Sequence, residues 1–191
     1  MKELSLNILD IAKNSVKAGA TEITVALTET DDVLTIEIAD NGCGMKPDFL
    51  AAVTDPFTTT RTTRNVGLGI PLFKMESEMT GGAFHIESTH EDDDPVRHGT
   101  VIGATFMKDH IDFIPLGDVI STVTVLIQGD DQIRWVFRHT VGEKEVFLDT
   151  GELKAVLGDV PLSEPEVVAW IGDYLKEQYE DAGLPVPASC V

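Results

Sequence analysis

The sequence predicts an α+β protein with two parts, a first domain over 1–109 and a small α+β module over 110–191. Two observations favour this fold class. Apolar residues recur at three- and four-residue spacing over 3–18, which is typical of an amphipathic helix. Two stretches of alternating apolar and polar residues follow at 21–27 and 33–39, and the short polar turn between them indicates an antiparallel hairpin.

Length and composition are those of an ordinary globular protein. The chain has 191 residues, of which 42% are hydrophobic and 25% are charged. No apolar run approaches the ~20 residues that a membrane helix needs, and the start of the chain lacks a secretory signal pattern. We therefore expect a cytoplasmic protein without a membrane partner. Two distant cysteines, Cys43 and Cys190, do not indicate a disulfide framework.

The charge balance disfavours nucleic acid as a partner. The chain carries 14 basic and 33 acidic residues, a net charge of −19. Such a field repels phosphate backbones, and nucleic-acid binders usually carry a basic patch. Solubility accounts for most of this charge, and a basic or metal-carrying partner is compatible with it but not required.

One face of the first helix is polar. Asp10, Asn14 and Lys17 follow at four- and three-residue spacing and share this face, and Gly19 ends the helix. The face is either solvated or part of a site that combines an acid, a neutral oxygen ligand and a cation.

The second strand ends in Asp40-Asn41-Gly42-Cys43-Gly44-Met45. Glycine allows a ligand to lie against the main chain, and a carboxylate at a strand end can accept a hydrogen bond from an amine in a pocket. Taken alone, an Asp-Asn-Gly run is more typical of a turn. Its interpretation depends on the segments before and after it.

Residues 55–66 are rich in threonine and contain two arginines, so we expect a mobile surface loop. The sequence Gly67-Leu68-Gly69 then opens a helix that runs to about Thr80. Free N–H groups at such a helix start suit phosphate, although a plain helix start has the same pattern. Two further strands are predicted at 83–87 and 99–107, and the acidic loop 90–98 between them is expected to be solvated.

The C-terminal part contains no chemical motif. A linker at Pro115-Leu116-Gly117 precedes three predicted strands and two predicted helices, the second of which has a Ser163/Glu166 capping box. Trp135 and Trp170 are expected in the core. The strands are expected at 119–128, 133–140 and 145–148, and the helices at 150–157 and about 163–182.

Four segments, in this order, resemble the GHKL superfamily of ATP-binding domains, which contains histidine kinases, gyrase-type topoisomerases, heat-shock chaperones and mismatch-repair ATPases. The segments are Asp10-x-x-x-Asn14-x-x-Lys17, Asp40-x-Gly42-x-Gly44, the threonine/arginine loop ending in Gly67-x-Gly69, and Gly99-Thr100. The resemblance covers about residues 4–107. It implies a two-layer α/β sandwich, with a mixed, mostly antiparallel sheet and helices on one face.

The resemblance also implies ATP and Mg²⁺ as cofactors. Asp40 would accept a hydrogen bond from the adenine amine. Gly42, Gly44 and Met45 would lie beside the base, and Thr100 would support it through its hydroxyl.

The phosphate end has its own implied residues. Asn14 would supply an oxygen to Mg²⁺, and Lys17 would face the phosphates. Asp10 occupies the position of the general-base glutamate of the ATPase members, but its side chain is one methylene shorter. The residues that would contact or close over the phosphates are Thr60, Arg61, Arg64, Gly67, Leu68 and Gly69.

Two classes of function follow from the resemblance. The first is a phosphotransferase or slow ATPase that acts on or with a partner protein, and the second is a nucleotide-gated binding module without significant turnover. A complete autophosphorylating histidine kinase is not expected, because the five histidines fall on predicted strands or loops. A role on DNA is disfavoured by the charge.

The chain is also similar to small stand-alone ATP-binding proteins found beside iron-hydrogenase genes, which share Lys2-Glu3-Leu4-Ser5-Leu6 and Pro115-Leu116-Gly117-Asp118. The strand and helix that usually precede the first helix of a GHKL domain are missing. We therefore expect an open sheet edge to be covered by a partner chain, including a second copy in a homodimer, or by the C-terminal module.

Overall fold

A computed structural model of the chain describes residues 3–54 and 68–188, which form one mixed sheet covered by helices. The helices are α1 (Leu4–Lys17), α2 (Pro47–Ala52), α3 (Gly69–Met79), α4 (Val119–Gly129), α5 (Thr150–Leu157) and α6 (Pro165–Asp181). The strands are β1 (Glu22–Glu29), β2 (Val33–Asp40), β3 (Phe84–Thr89), β4 (Gly99–Met107), β5 (Arg134–Val141) and β6 (Lys144–Asp149).

The six strands lie in the order β3-β4-β2-β1-β5-β6. Neighbouring strands are antiparallel except β1 and β5, which run parallel. The predicted α+β class with a mixed, mostly antiparallel sheet is therefore confirmed.

The core lies between one face of the sheet and the helices. Alternate residues of β1 and β2 are buried, as the period of two in a half-buried strand requires. The apolar stripe of α1 faces them, and α3 contributes Phe73, whose ring centroid is 5.4 Å from that of Phe106 on β4. Helix α1 packs on β1, β2 and α3, and α3 packs on β4, so both helices are fixed against the sheet.

The segment 119–128 is a helix, so its prediction as a strand was wrong. Its β-branched residues favour a strand locally. However, the buried residues Val119, Val123 and Leu126 recur at helical spacing, and α4 packs against α1 and α6. The Asp118 carboxylate also caps the helix by accepting a hydrogen bond from the Ser121 N–H at 2.8 Å. Tertiary packing and the cap together outweigh the local preference.

The C-terminal part covers the sheet edge that was expected to be open. β5 pairs with β1 along eight residues, from Glu22 opposite Arg134 to Glu29 opposite Val141. The free edge of the outer strand β6 is covered in part by Gln178 of α6. Its side-chain oxygen accepts a hydrogen bond from the Phe147 N–H at 3.0 Å, and its side-chain nitrogen donates to the Phe147 carbonyl at 2.9 Å. The two parts of the chain thus share one sheet, and a domain boundary at 109/110 stays a prediction.

Two smaller expectations about this part were wrong. The Ser163/Glu166 capping box does not form, because the Ser163 hydroxyl donates to the Asp131 carboxylate at 2.6 Å. Trp135 is a core residue, but Trp170 is 49% exposed.

A buried chain of polar side chains ties α6 to the sheet. The Tyr179 hydroxyl lies 2.7 Å from Nδ1 of His139, and Nε2 of His139 lies 3.1 Å from the Glu29 carboxylate. Lys108 donates to the other oxygen of Glu29 at 2.7 Å. The hydrogen bonds from His139 and Lys108 lower the pKa of Glu29 to about 2, and burial raises the pKa of Tyr179.

Within the described residues, no helix is long and apolar enough to cross a bilayer.

Candidate functional site

A cavity of about 510 Å³ opens between α1, the end of β2 and the start of β4. This volume lies in the range of small-molecule sites. Six of the sequence-predicted residues line it, namely Asn14, Lys17, Asp40, Gly44, Met45 and Thr100. Segments far apart in the sequence thus meet at one place, as the resemblance implies.

The sheet register brings the two polar strand residues together. Asp40 at the end of β2 is the cross-strand partner of Thr100 near the start of β4, and Thr100 is the partner of Ser88 on β3. Directly opposed residues of paired strands point to the same face. A carboxylate and two hydroxyls therefore stand side by side at one end of the sheet.

The Asp40 carboxylate is held by two donors. The Ser15 hydroxyl on α1 donates to Oδ2 at 2.5 Å, and the Gly42 N–H donates to Oδ1 at 2.9 Å. An ionised carboxylate can accept about four hydrogen bonds in all. Asp40 is therefore oriented by the protein and keeps acceptor capacity for a ligand in the cavity.

Both glycines after Asp40 are required by the packing of the loop. A Cβ on Gly42 would lie 2.8 Å from the Cβ and 2.9 Å from the carbonyl oxygen of Ala18. Gly44 has φ +69°, and a Cβ there would overlap the carbonyl of Thr89. The loop can lie flat between α1 and β3 only because these side chains are missing.

The Asp-Asn-Gly run is anchored on both sides, unlike a plain surface turn. Oδ1 of Asn41 accepts hydrogen bonds from the N–H groups of Thr21 and Glu22 at 2.8 and 2.9 Å. On the other side, Nδ1 of His98 lies 2.6 Å from the carbonyl oxygen of Gly42. Since a carbonyl can only accept, Nδ1 carries the proton. These contacts keep Asp40 at the edge of the cavity.

Ser88 links the loop to Thr100. Its hydroxyl donates to the Gly99 carbonyl at 3.0 Å and accepts from the Met45 N–H at 2.8 Å. The Thr100 hydroxyl lies 2.9 Å from it, and since the Ser88 proton is already used, Thr100 is the donor. The oxygen of Thr100 is then available as an acceptor.

The polar face of α1 continues from the cavity towards α3. Asn14 and Lys17 both line the cavity; Asn14 is half-buried and Lys17 is exposed. Asp10 does not line the cavity and instead lies beside the start of α3, where a Cβ on Gly69 would be 3.1 Å from the Cβ of Asp10. Leu68, just before α3, is 58% exposed. The start of α3 is thus one turn of α1 away from Asn14.

Sequence reasoning missed the hydroxyls and the apolar walls of the site. Ser15 and Ser88 carried no motif of their own, although Ser15 directly follows Asn14. The walls could have been found from periodicity, since Ile11 precedes Asn14 by one helical turn and Ile102 lies on the same strand face as Thr100. The apolar lining residues are Ile11, Ala18, Phe49, Val53, Ile70 and Ile102.

Four predicted residues lie outside the described residues, namely Thr60, Arg61, Arg64 and Gly67. Their proposed contacts with phosphate stay predictions.

Residues 2–110 match the model of the family described as histidine kinase-, DNA gyrase B-, and HSP90-like ATPase. The chain therefore belongs to this family of GHKL ATPase domains.

Among curated proteins, the chain is 33% identical over 100 residues to sporulation kinase D of Bacillus subtilis, a match that covers 51% of this chain and 18% of that protein. It is 38% identical over 52 residues to the DNA mismatch repair protein MutL of Rhizorhabdus wittichii, covering 27% of this chain and 9% of that protein. The chain thus spans less than a fifth of the length of these relatives.

One solved structure that is similar to this chain is the Aquifex aeolicus MutL ATPase domain complexed with ADP. The two have 13% sequence identity and a TM-score of 0.49, and the match covers 82% of this chain and 69% of that one. The mycobacterial sensor histidine kinase MprB has 25% identity and a TM-score of 0.40, covering 53% of this chain and 67% of that one.

Proposed function

We propose that the chain binds ATP in the cavity beside α1, with the adenine amine donating to Asp40. The observation that carries this proposal is the Asp40 carboxylate, which Ser15 and Gly42 hold at the edge of a mostly apolar cavity. A flat heterocycle with an amine on its edge matches this arrangement, because apolar walls cover its faces and one acceptor orients its edge. Thr100 lies beside Asp40 and supplies a second polar group.

The triphosphate extends from this pocket along the polar face of α1 towards the start of α3. Lys17 provides a positive charge for it, and the first N–H groups of α3 supply donors and the positive end of a helix dipole. These are the positioning and charge-neutralising parts that phosphoryl transfer needs.

The residues present fit a magnesium ion held mainly by phosphate oxygens and water. The described residues contain no group of three or more histidine, cysteine, aspartate or glutamate side chains that could hold a metal. Mg²⁺ is commonly bound through one or two protein oxygens plus substrate phosphates, and the Asn14 side-chain oxygen is available for this at the cavity wall. When bound, the ion would neutralise charge on the phosphates.

The activity we propose is phosphoryl transfer or slow ATP hydrolysis on or with a partner protein. Asp10 would orient or deprotonate the attacking group from its position beside the start of α3. One Bacillus relative is named sporulation kinase D, which favours phosphoryl transfer over hydrolysis. The shorter side chain of Asp10 relative to glutamate argues for slow turnover.

A nucleotide-gated binding module is the second candidate, and one contact favours it. The N–H groups of Leu4 and Ser5 at the start of α1 donate to the carbonyls of Pro115 and Leu116 at 3.0 and 2.8 Å. The helix that carries Asn14 is therefore tied directly to the start of the C-terminal part. A nucleotide-dependent shift of α1 would reach the C-terminal surface through these bonds.

The test is to incubate the protein with magnesium and γ-labelled ATP, alone and with a cell extract, next to the Asp10→Asn variant. Binding, measured by calorimetry, should be the same in both proteins. Released phosphate or a labelled protein that disappears in Asp10→Asn supports the enzyme, and binding without turnover supports the binding module. Absence of ATP binding would contradict both.

A further inference from the structure

Helix α6 presents a large aromatic surface to solvent, and this surface is separate from the proposed nucleotide cavity. Trp170 is 49% exposed, whereas Trp135, the other tryptophan, is 3% exposed. The indole of Trp170 stacks on the ring of Tyr174, with centroids 5.2 Å apart and planes inclined by 11°. Neither residue lines the cavity.

The helix geometry surrounds this aromatic pair with acids. Ile171, Leu175 and Tyr179 form the buried side of α6. Glu166 lies one turn before Trp170 on the solvent side, and positions 173 and 177 continue the same stripe at three- and four-residue spacing. We call the set Glu166, Trp170, Asp173, Tyr174 and Glu177 the α6 surface.

The negative charge of the α6 surface is largely uncompensated. Lys176 pairs with Asp173 at 3.1 Å. Within the part of the chain that the structure describes, Glu166 and Glu177 form no ion pair. The whole chain adds to this field with its net charge of −19.

Helix α4 fixes the position of α6. The two helices pack directly against each other, and a Cβ on Gly172 would lie 3.7 Å from the Cγ2 atom of Thr124. Gly172 follows Trp170 by two residues and therefore lies on the side of α6 away from the indole. The packing with α4 thus gives the α6 surface a fixed shape without covering Trp170.

We propose that the α6 surface docks an arginine-rich segment of a partner protein. A guanidinium group stacks on the exposed indole face of Trp170, and Glu166 and Glu177 pair with neighbouring basic side chains. Arginine is favoured over lysine, because its planar group stacks on aromatic rings and is weakly hydrated. The charge of the surface excludes an acidic partner, and docking on it does not require a nucleotide in the cavity.

The test measures the fluorescence anisotropy of a labelled nonaarginine peptide with the full chain, without nucleotide, at about 0.15 M salt, where surface charges are screened beyond roughly 8 Å. Trp170→Ala and the double variant Glu166→Gln/Glu177→Gln should each bind about fivefold to tenfold more weakly, as expected for the loss of stacking or of exposed charge pairs. A nonalysine peptide should bind the unchanged protein several-fold more weakly than nonaarginine.

The matched control is Glu91→Gln/Asp93→Asn, which removes the same charge from the exposed acidic loop before β4. Its affinity should stay within twofold of that of the unchanged protein. Equal weakening in this control would mean that only overall charge is felt, and it would overturn the proposal. Unchanged binding by Trp170→Ala, or no binding of nonaarginine at all, would overturn it as well. Trp170→Phe retains part of the stacking and tests the same point if the alanine variant folds poorly.

Discussion

Replacing Ser15 by alanine tests how Asp40 is oriented. The Ser15 hydroxyl donates to Oδ2 of Asp40 at 2.5 Å, and the side chain lies at the wall of the cavity. The substitution removes one of the two donors that hold the carboxylate, while the Gly42 N–H still holds Oδ1. Asp40 can then rotate about its remaining contact, and its free oxygen no longer points in a fixed direction into the cavity.

The size of the effect follows from the kind of hydrogen bond. A hydrogen bond to a charged group contributes about 1.5–3 kcal/mol. Water can reach the half-buried Asp40 and replace part of this bond. We therefore expect the free energy of ATP binding to fall by about 1–2 kcal/mol, which is roughly a 5- to 30-fold increase in the dissociation constant. Isothermal titration calorimetry measures this directly.

Ser121→Ala is the matched control, because Ser121 also donates its hydroxyl to a carboxylate, that of Asp118 at 2.6 Å, but at the start of α4. It should lower thermal stability slightly and leave the ATP affinity unchanged. If Ser15→Ala binds ATP as tightly as the unchanged protein, or if Ser121→Ala loses as much affinity, then Ser15 does not orient Asp40 for ATP binding.

Two further perturbations test packing and pH dependence. Gly42→Ala forces a methyl group against Ala18 and should lower the free energy of unfolding by about 1–3 kcal/mol, measured by urea unfolding. Gly129→Ala is the control and should not lower it, because a Cβ there meets nothing within 4 Å. Equal stability of the two variants would mean that Gly42 is not required by the packing. Folding lowers the pKa of Glu29 from 4.5 to about 2. The ionised carboxylate therefore stabilises the folded state fully above pH 4.5, and this contribution is lost as the pH falls towards 2. Solvent screening of the half-buried group leaves about 1–2 kcal/mol, which Glu29→Gln should remove at pH 7 but not at pH 2, and an identical pH profile in both proteins would contradict this.

The sequence predicted those features that depend on periodicity and on ordered motifs. The face of α1 with Asn14 and Lys17 is set by helical spacing, and the strand ends at Asp40 and Thr100 are set by alternation followed by glycine. Their meeting in one cavity was expected from the resemblance, since spacing alone does not fix the strand register.

What could not be predicted depends on contacts between distant segments. The segment that became α4 has a strand-like composition, and its packing against α1 and α6, together with the Asp118 cap, decides for a helix. Ser163 was expected to cap α6, but Asp131, 32 residues earlier, takes its hydroxyl. Ser15 acts on a carboxylate 25 residues away, and no local pattern indicates that contact.

The proposed nucleotide site depends most directly on one hydrogen bond, from the adenine amine to the carboxylate of Asp40. In Asp40→Asn, the Gly42 N–H keeps the amide oxygen in the place of Oδ1, so the amide nitrogen faces the cavity. A donor then meets a donor, and calorimetry should show ATP binding at least tenfold weaker, the loss of a charge-assisted hydrogen bond of about 1.5–3 kcal/mol, with the fold retained by circular dichroism. An unchanged ATP affinity in folded Asp40→Asn would show that Asp40 does not bind the adenine amine.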